Sequence, residues 1–263
     1  MLKFALITDI HYGVDKGWKL GTQARSLMSD FIQAVNNYQA DFTAALGDFV
    51  NSRNHKSDTA CLRELKTHFN QAAAPVYPIL GNNEVRHMTR EEYAKILETT
   101  PQSYTRDVKD YRFAFWNPEV NTDGTDGLSL TEEDIQWLQK TLDESDKPVI
   151  LFSHVPLCNR EWDDVSATVR DRSANRSYYP QGAKIREMME QSGKVVMCMA
   201  GHKHHNRHRE INGIHYVTHQ SFSQSLDGKT PTGAYSFVEI ENRDVRIKGF
   251  GVKQPSLQFK LGA

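Results

Sequence analysis

Lys3-Phe4-Ala5-Leu6-Ile7-Thr8-Asp9-Ile10-His11 decides the reading of this chain: an apolar strand runs straight into a carboxylate and an imidazole. The same grammar recurs. Phe42 to Leu46 ends at Gly47-Asp48, Val76 to Leu80 at Gly81-Asn82-Asn83-Glu84, Val149 to Phe152 at Ser153-His154, and Val195 to Ala200 at Gly201-His202-Lys203-His204. In open parallel sheets, the loops beyond the carboxyl ends of the strands converge, so ligands gather there. A hard-to-borderline divalent cation takes carboxylate, amide oxygen and imidazole donors, and five such motifs supply enough for two ions sharing one carboxylate. Singly, each motif is better read as a cap, a turn or a surface histidine. Their recurrence at successive strand ends is what points to a common site.

Between these strands the pattern is helical. Thr22 to Asn37 carries Leu27, Phe31, Ile32 and Val35 at helical spacing, and Leu62, Leu65 and Phe69 form the buried stripe of a helix beginning near Ser57-Asp58. Thr89 with Glu92, and Thr131 with Asp134, are capping boxes for two more. Alternating strands and helices imply a largely parallel sheet with helices outside it. The tail differs: Asn212-Gly213 is a hairpin turn, and Tyr235 to Ile240 and Val245 to Gly251 pair across residues 241–244. The expectation is therefore an α/β chain built on a mixed β-sandwich flanked by helices, in four layers, forming one domain over 1–263. Residues 121–127 form a turn-rich connector, and residues 159–179 a long polar insertion.

Composition narrows the function. Lys plus Arg total 32 against 33 Asp plus Glu, so no global charge attracts nucleic acid or an anionic membrane, and the patch of Lys203, His205, Arg207, His208 and Arg209 is local. No apolar run is long enough to span a bilayer or serve as a signal peptide. Cys61, Cys158 and Cys198 lack a Cys-x-x-Cys pair, which suggests neither a disulfide framework nor a thiolate metal site, and a cytoplasmic location is the expectation.

In order, Asp9-x-His11, Gly47-Asp48, Gly81-Asn82-Asn83-Glu84, His154 and Gly201-His202-x-His204 resemble the signature of the calcineurin-like metallophosphoesterase superfamily. Leu130 to Leu138 and Gly213 to Val217 are similar to segments of its cyclic-nucleotide phosphodiesterase-like and ADP-ribose/CDP-alcohol diphosphatase-like branches. The resemblance implies one metal held by Asp9, His11, Asp48 and His204, and a second by Asp48, Asn82, His154 and His202, with Asp48 bridging. The ions would be Mn, Fe or Zn, with water of lowered pKa between them as the nucleophile and a small-molecule phosphodiester, phosphoanhydride or nucleotide as substrate.

Two departures stand out. The family places a histidine at Asn83, where it contacts the phosphate and helps the leaving group depart; asparagine donates a hydrogen bond but transfers no proton. That favours leaving groups that are already stable anions. The acid is dispensed with, supplied by His55, His87 or His205, or lost through an introduced substitution that slows catalysis. A non-catalytic scaffold on the same fold is the alternative reading. The second departure is a missing apolar strand between Tyr111-Arg112-Phe113-Ala114-Phe115-Trp116 and the helix near Thr131, so one sheet is expected to lack an edge strand. For substrate selection, the 159–179 insertion offers Arg160, Arg172 and Arg176, with Trp162, Arg170, Tyr178 and Tyr179, as a cap over the site.

Overall fold

The computed structural model describes residues 1–120, 128–158 and 177–262. Two six-stranded sheets stack face to face. The first has the order β12-β11-β10-β1-β2-β3, formed by β1 (Leu2–Ile7), β2 (Phe42–Ala45), β3 (Val76–Pro78), β10 (Tyr235–Glu241), β11 (Asp244–Phe250) and β12 (Ser256–Lys260). The second has the order β4-β5-β6-β7-β9-β8, formed by β4 (Tyr104–Val108), β5 (Tyr111–Phe115), β6 (Val149–Ser153), β7 (Val195–Ala200), β8 (Arg207–Ile211) and β9 (Ile214–Thr218). The strands carrying the polar motifs are parallel to their neighbours of that kind: β1 with β2, β2 with β3, and β6 with β7.

Period-two alternation generates the layers. Phe4 and Leu6 of β1, Phe113 and Phe115 of β5, Ile150 and Phe152 of β6, and Met197 and Met199 of β7 fill the space between the sheets, with Phe4 stacked on Phe42 at 5.1 Å. The residues between them, Ala5, Ala114, Leu151 and Cys198, face the helical layers. Those layers consist of α1 (Ala24–Tyr38), α2 (His55–Phe69) and α3 (Arg90–Leu97), then α4 (Glu132–Asp143) and α5 (Gly182–Ser192). The mixed, four-layer α/β sandwich expected from the sequence is what forms.

Helix starts follow local chemistry. Both predicted capping boxes are present, at Thr89/Glu92 and Thr131/Asp134. α2 begins earlier than its apolar stripe suggested, because Asn54 Oδ1 accepts from Ser57 N–H at 2.9 Å and caps it. β3 ends at Pro78, before Leu80. The expected gap in the second sheet is filled differently: β4 pairs antiparallel with β5 and occupies its flank, while residues 121–127 lie outside the described residues.

Candidate metal centre

The motif loops follow β1, β2 and β3 of one sheet and β6 and β7 of the other, so they meet at one edge of the sandwich. Backbone bonds lock them together: Asp9 N–H donates to Gly47 O at 3.0 Å, His11 N–H to Asp48 O at 2.9 Å, and Gly201 N–H to His154 O at 3.0 Å. The crossing is tight enough to exclude side chains at two glycines. A Cβ on Gly81 would collide with the Asp48 backbone and carboxylate, and one on Gly201 with Thr8 Oγ1 and Asp9 Oδ2.

Asp9, His11, Asp48, His202 and His204 all sit at positive φ, between 48° and 66°. Non-glycine residues visit that region at a cost of roughly 1–3 kcal/mol each, and such strain concentrates at functional sites. It turns the side chains inward from the loops instead of continuing the strands. Asp9, His11, Asp48, Asn82 and His154 are buried, while His202 and His204 are partly exposed.

Two donor sets result. Asp9, His11, Asp48 and His204 bring one ligand atom each within 4.8 Å of one another. Within that set His204 Nε2 is 3.0 Å from Asp9 Oδ1 and 3.0 Å from His11 Nε2, while His11 Nε2 is 3.8 Å from both Asp9 Oδ1 and Asp48 Oδ2. In the second set His154 Nε2 is 3.2 Å from Asn82 Oδ1 and 3.4 Å from Asp48 Oδ1, and His202 Nδ1 is 2.9 Å from Asn82 Oδ1 and 3.3 Å from His154 Nε2. Two donors bound about 2.1 Å from one cation stand about 3.0 Å apart at a right angle and about 3.4 Å apart at a tetrahedral angle. The spacings of 2.9–3.4 Å match, while His11 stands wider, at 3.8 Å from both carboxylates.

Tautomers make the fit more specific. His154 Nδ1–H donates to the Leu46 carbonyl at 2.7 Å, so in the neutral ring Nε2 carries a lone pair. That lone pair faces the Asn82 amide oxygen and the Asp48 carboxylate, an arrangement of acceptors that needs a cation or a proton between them. His204 is oriented similarly, its Nδ1 bonded to Gln224 Oε1 and its Nε2 turned to Asp9.

The electrostatics agree. Burial raises the Asp9 carboxyl, but the charge and hydrogen bond of His204, with His154, overcome it and hold Asp9 well below the usual carboxylate range. Asp48 is likewise lowered, burial being outweighed by His154, Lys19 and the Asn83 N–H. Burial, with Lys19 and His204, drives His11 well below its ordinary value and keeps it neutral. His154 moves the other way: burial opposes its charge, yet Asp48 and Asp9 raise it.

Several contributors lie outside the proposed ligand set. Glu84 is fully buried and accepts from the N–H groups of Gly81, Asp48, Phe49 and Val50 at 2.7–3.1 Å, tying the β2 and β3 loops into one body. Burial and the neighbouring Asp48 push it up to about 7. Thr8 Oγ1 donates to Asp9 Oδ2 at 2.7 Å, and His202 N–H donates to the same oxygen at 2.9 Å. The sequence signal for Glu84 was its place in Gly81-Asn82-Asn83-Glu84; nothing marked Gln224 or Thr8.

Asn83 lies at the seam, its backbone N–H donating to Asp48 Oδ1 at 2.8 Å and its amide to Asp48 Oδ2. Of the three histidines considered as replacement acids, His55 is exposed and bonded to Glu92 at 2.9 Å, His87 bonds Asp58 at 2.8 Å, and His205 Nδ1 meets Lys203 O at 2.9 Å. Arg160, Arg172 and Arg176, with Trp162 and Arg170, lie outside the described residues. Tyr179 is a core residue rather than a stacking platform: it is buried, its ring 6.2 Å from Trp116 and its hydroxyl donating to Glu119 O. Among the described residues no helix is long and apolar enough to cross a membrane.

Comparison with known proteins identifies the family and the fold. The family model for calcineurin-like phosphoesterases matches residues 2–206. A manganese-dependent ADP-ribose/CDP-alcohol diphosphatase of Arabidopsis thaliana is 22% identical over 259 residues, covering 80% of this chain and 78% of that protein. The structure of a dimetal phosphatase from Danio rerio superposes with a TM-score of 0.80 at 14% identity over 99% of both chains. Purple acid phosphatase PPD1 from yellow lupin (Lupinus luteus) gives 0.66 at 13% identity, covering 99% of this chain and 54% of that one. With the motifs, the donor geometry and the family match in agreement, the chain belongs to the calcineurin-like phosphoesterase family and is a metal-dependent hydrolase.

Proposed function

We propose that the chain holds two metal ions, one on Asp9, His11, Asp48 and His204 and the other on Asp48, Asn82, His154 and His202, and hydrolyses a small-molecule phosphodiester or phosphoanhydride. The observation that carries this reading is the inward-facing lone pair of His154 Nε2, set among acceptors that also surround the shared Asp48. When bound, a pair of such ions lowers the pKa of water and clamps the attacking and leaving oxygens of an in-line phosphoryl displacement. The chain's own work is to orient. Leu46 O and Gln224 fix the imidazole tautomers, Thr8 and the His202 N–H aim Asp9, and Glu84 fastens the loops that present Asp48 and Asn82. No side-chain nucleophile is required, and Ser153 Oγ–H is committed to Val155 O at 2.6 Å.

Leaving-group chemistry narrows the substrate. Asn83 cannot protonate a departing oxygen, and His55, His87 and His205 each have a ring nitrogen bonded elsewhere, to Glu92, Asp58 and Lys203 O. Losing a general acid costs about 10²–10⁴ in rate for poor leaving groups and little for stable anions. A phosphoanhydride therefore suits the site better than an alkyl ester, in keeping with the diphosphatase to which the chain is similar. Manganese is the first ion to test, with iron and zinc compatible with the same donors. Metal analysis of the purified protein, with assays on ADP-ribose, cyclic nucleotides and bis-p-nitrophenyl phosphate, tests the proposal. Two bound metals and ADP-ribose turnover are expected; two metals without turnover of any of these substrates would instead favour a non-catalytic scaffold.

A further inference from the structure

A short hairpin beside the centre presents a cation that the metal ligands do not need. Lys16 N–H donates to Lys19 O at 2.9 Å and Lys19 N–H to Lys16 O at 3.1 Å, closing a turn over Gly17 and Trp18, with Gly17 at φ 59°. The hairpin is bonded to the segment that orients His204: Lys19 is the direct antiparallel partner of Gln224, flanked by Leu20 N–H to Ser223 O at 3.0 Å and Ser225 N–H to Trp18 O at 2.7 Å. Directly opposed residues in an antiparallel pair project their side chains to the same face. Gln224 reaches His204, so Lys19 projects toward the centre as well. Trp18 projects to the other face, where its ring packs over Gly228.

The electrostatics point the same way: burial lowers the Lys19 ammonium, and the charges of Asp48 and Asp9 oppose that lowering. Lys19 is felt by Asp48 and by His11, and in turn feels Asp48, Asp9, Lys16 and Arg86. Among the described residues no carboxylate lies within ion-pair distance of its ammonium, whereas Lys16 Nζ is bonded to Ser52 O at 3.2 Å. The carboxylates that attract Lys19 are thus the proposed metal ligands themselves. Two divalent ions bring four positive charges against Asp9 and Asp48, and Lys19 adds a fifth. The ions would take one phosphoryl group of any phosphoester, so Lys19 gains an anionic partner only where the substrate carries a second phosphoryl group, as a diphosphate does.

We infer that Lys19 is a substrate-contacting residue that binds the second phosphoryl group of a diphosphate, making the site selective for phosphoanhydrides over monophosphate esters. The inference rests on the two-metal reading above and deepens it. Its test is a binding measurement on manganese-loaded protein of matched metal content, by titration calorimetry with α,β-methylene-ADP and with AMP. Lys19→Met is expected to weaken α,β-methylene-ADP at least tenfold and AMP less than threefold, and Lys19→Arg to recover most of the loss. Equal weakening of the two probes, unchanged binding of α,β-methylene-ADP, or failure of the wild type to bind it would each overturn the assignment. The thermal midpoint of Lys19→Met, compared with that of Lys19→Arg, identifies any folding defect, in which case the Arg variant alone decides: retained selectivity supports the role, lost selectivity refutes it. Failure of the hydrolase reading shows separately, as absent ADP-ribose turnover by the loaded wild type.

Discussion

The two halves of the proposed centre share Asp48 but differ in what surrounds it. One half has a second carboxylate, Asp9, with two imidazoles; the other replaces that carboxylate with the neutral amide of Asn82. In the first, burial keeps His11 neutral and the charge of His204 keeps Asp9 ionised, so the hydrogen on His204 Nε2 is the one a cation displaces there. In the second, Asp48 and Asp9 raise His154, and a proton competes with the metal. The comparison teaches that a symmetric-looking motif set produces an asymmetric donor arrangement, one half with two carboxylates and the other with one carboxylate and an amide.

The largest effect should come from removing what the halves share. Asp48→Asn takes a negative charge from both at once and disturbs the Asn83 contacts that hold the seam. Metal content is expected to fall below one ion per chain and hydrolysis of bis-p-nitrophenyl phosphate to fall by about 10⁴ or more, since the ions supply both nucleophile activation and charge stabilisation. By contrast, Asp9→Asn should empty only its own half, leaving one ion. Loss of both ions in each variant would mean that the two halves bind as a single unit.

Asn83→His probes the seam. A histidine there restores a group able to transfer a proton, so turnover of poor leaving groups should rise by about 10² or more, and turnover of good ones by much less. A leaving-group series on aryl phosphodiesters measures this as a change in the slope of log kcat/KM against leaving-group pKa. An unchanged slope would remove the argument for phosphoanhydrides that rests on Asn83.

These contrasts also show what sequence could convey. Each proposed ligand lies just past the end of a strand, and the signal is strongest at the six-residue β1 and β7; hence the motifs, the layers and the capping boxes were readable. What was not readable depends on contacts between distant segments. Glu84 gains its role from four N–H groups supplied by two loops, and Gln224 from lying opposite Lys19. β4, Tyr104-Thr105-Arg106-Asp107-Val108, and β12, Ser256-Leu257-Gln258-Phe259-Lys260, are edge strands whose polar, largely exposed residues blunt the apolar signal. α5 buries only Gly182, Ile185 and Met189, too sparse a stripe to stand out.

Gln224→Leu tests the asymmetry from outside the ligand set. It removes the acceptor that holds His204 Nδ1–H, and partners of this kind are worth about 10- to 100-fold in metal affinity. The loss should fall on the Asp9 half alone. Competition with a chelator of known affinity, read as two separate dissociation constants, measures it.

The smallest and most discriminating effect is the pH dependence of the two affinities. For the Asn82 half, the ion must displace a proton from His154 whenever the pH lies below that group's raised pKa. Affinity there should fall by up to about tenfold per pH unit on acidification and level off above it, with proton release on binding. For the Asp9 half the sign of the shifts is opposite in consequence: His11 and Asp9 are both lowered, so neither takes up a proton until the solution is more acidic. The hydrogen between His204 Nε2 and Asp9 is then the one its ion displaces, whereas the other half gives up the proton of His154. Calorimetric titration near pH 6 and near pH 8, in buffers of different ionisation enthalpy, separates the two by counting protons released per ion. Equal release from both would place the asymmetry in charge alone and not in the protonation of His154.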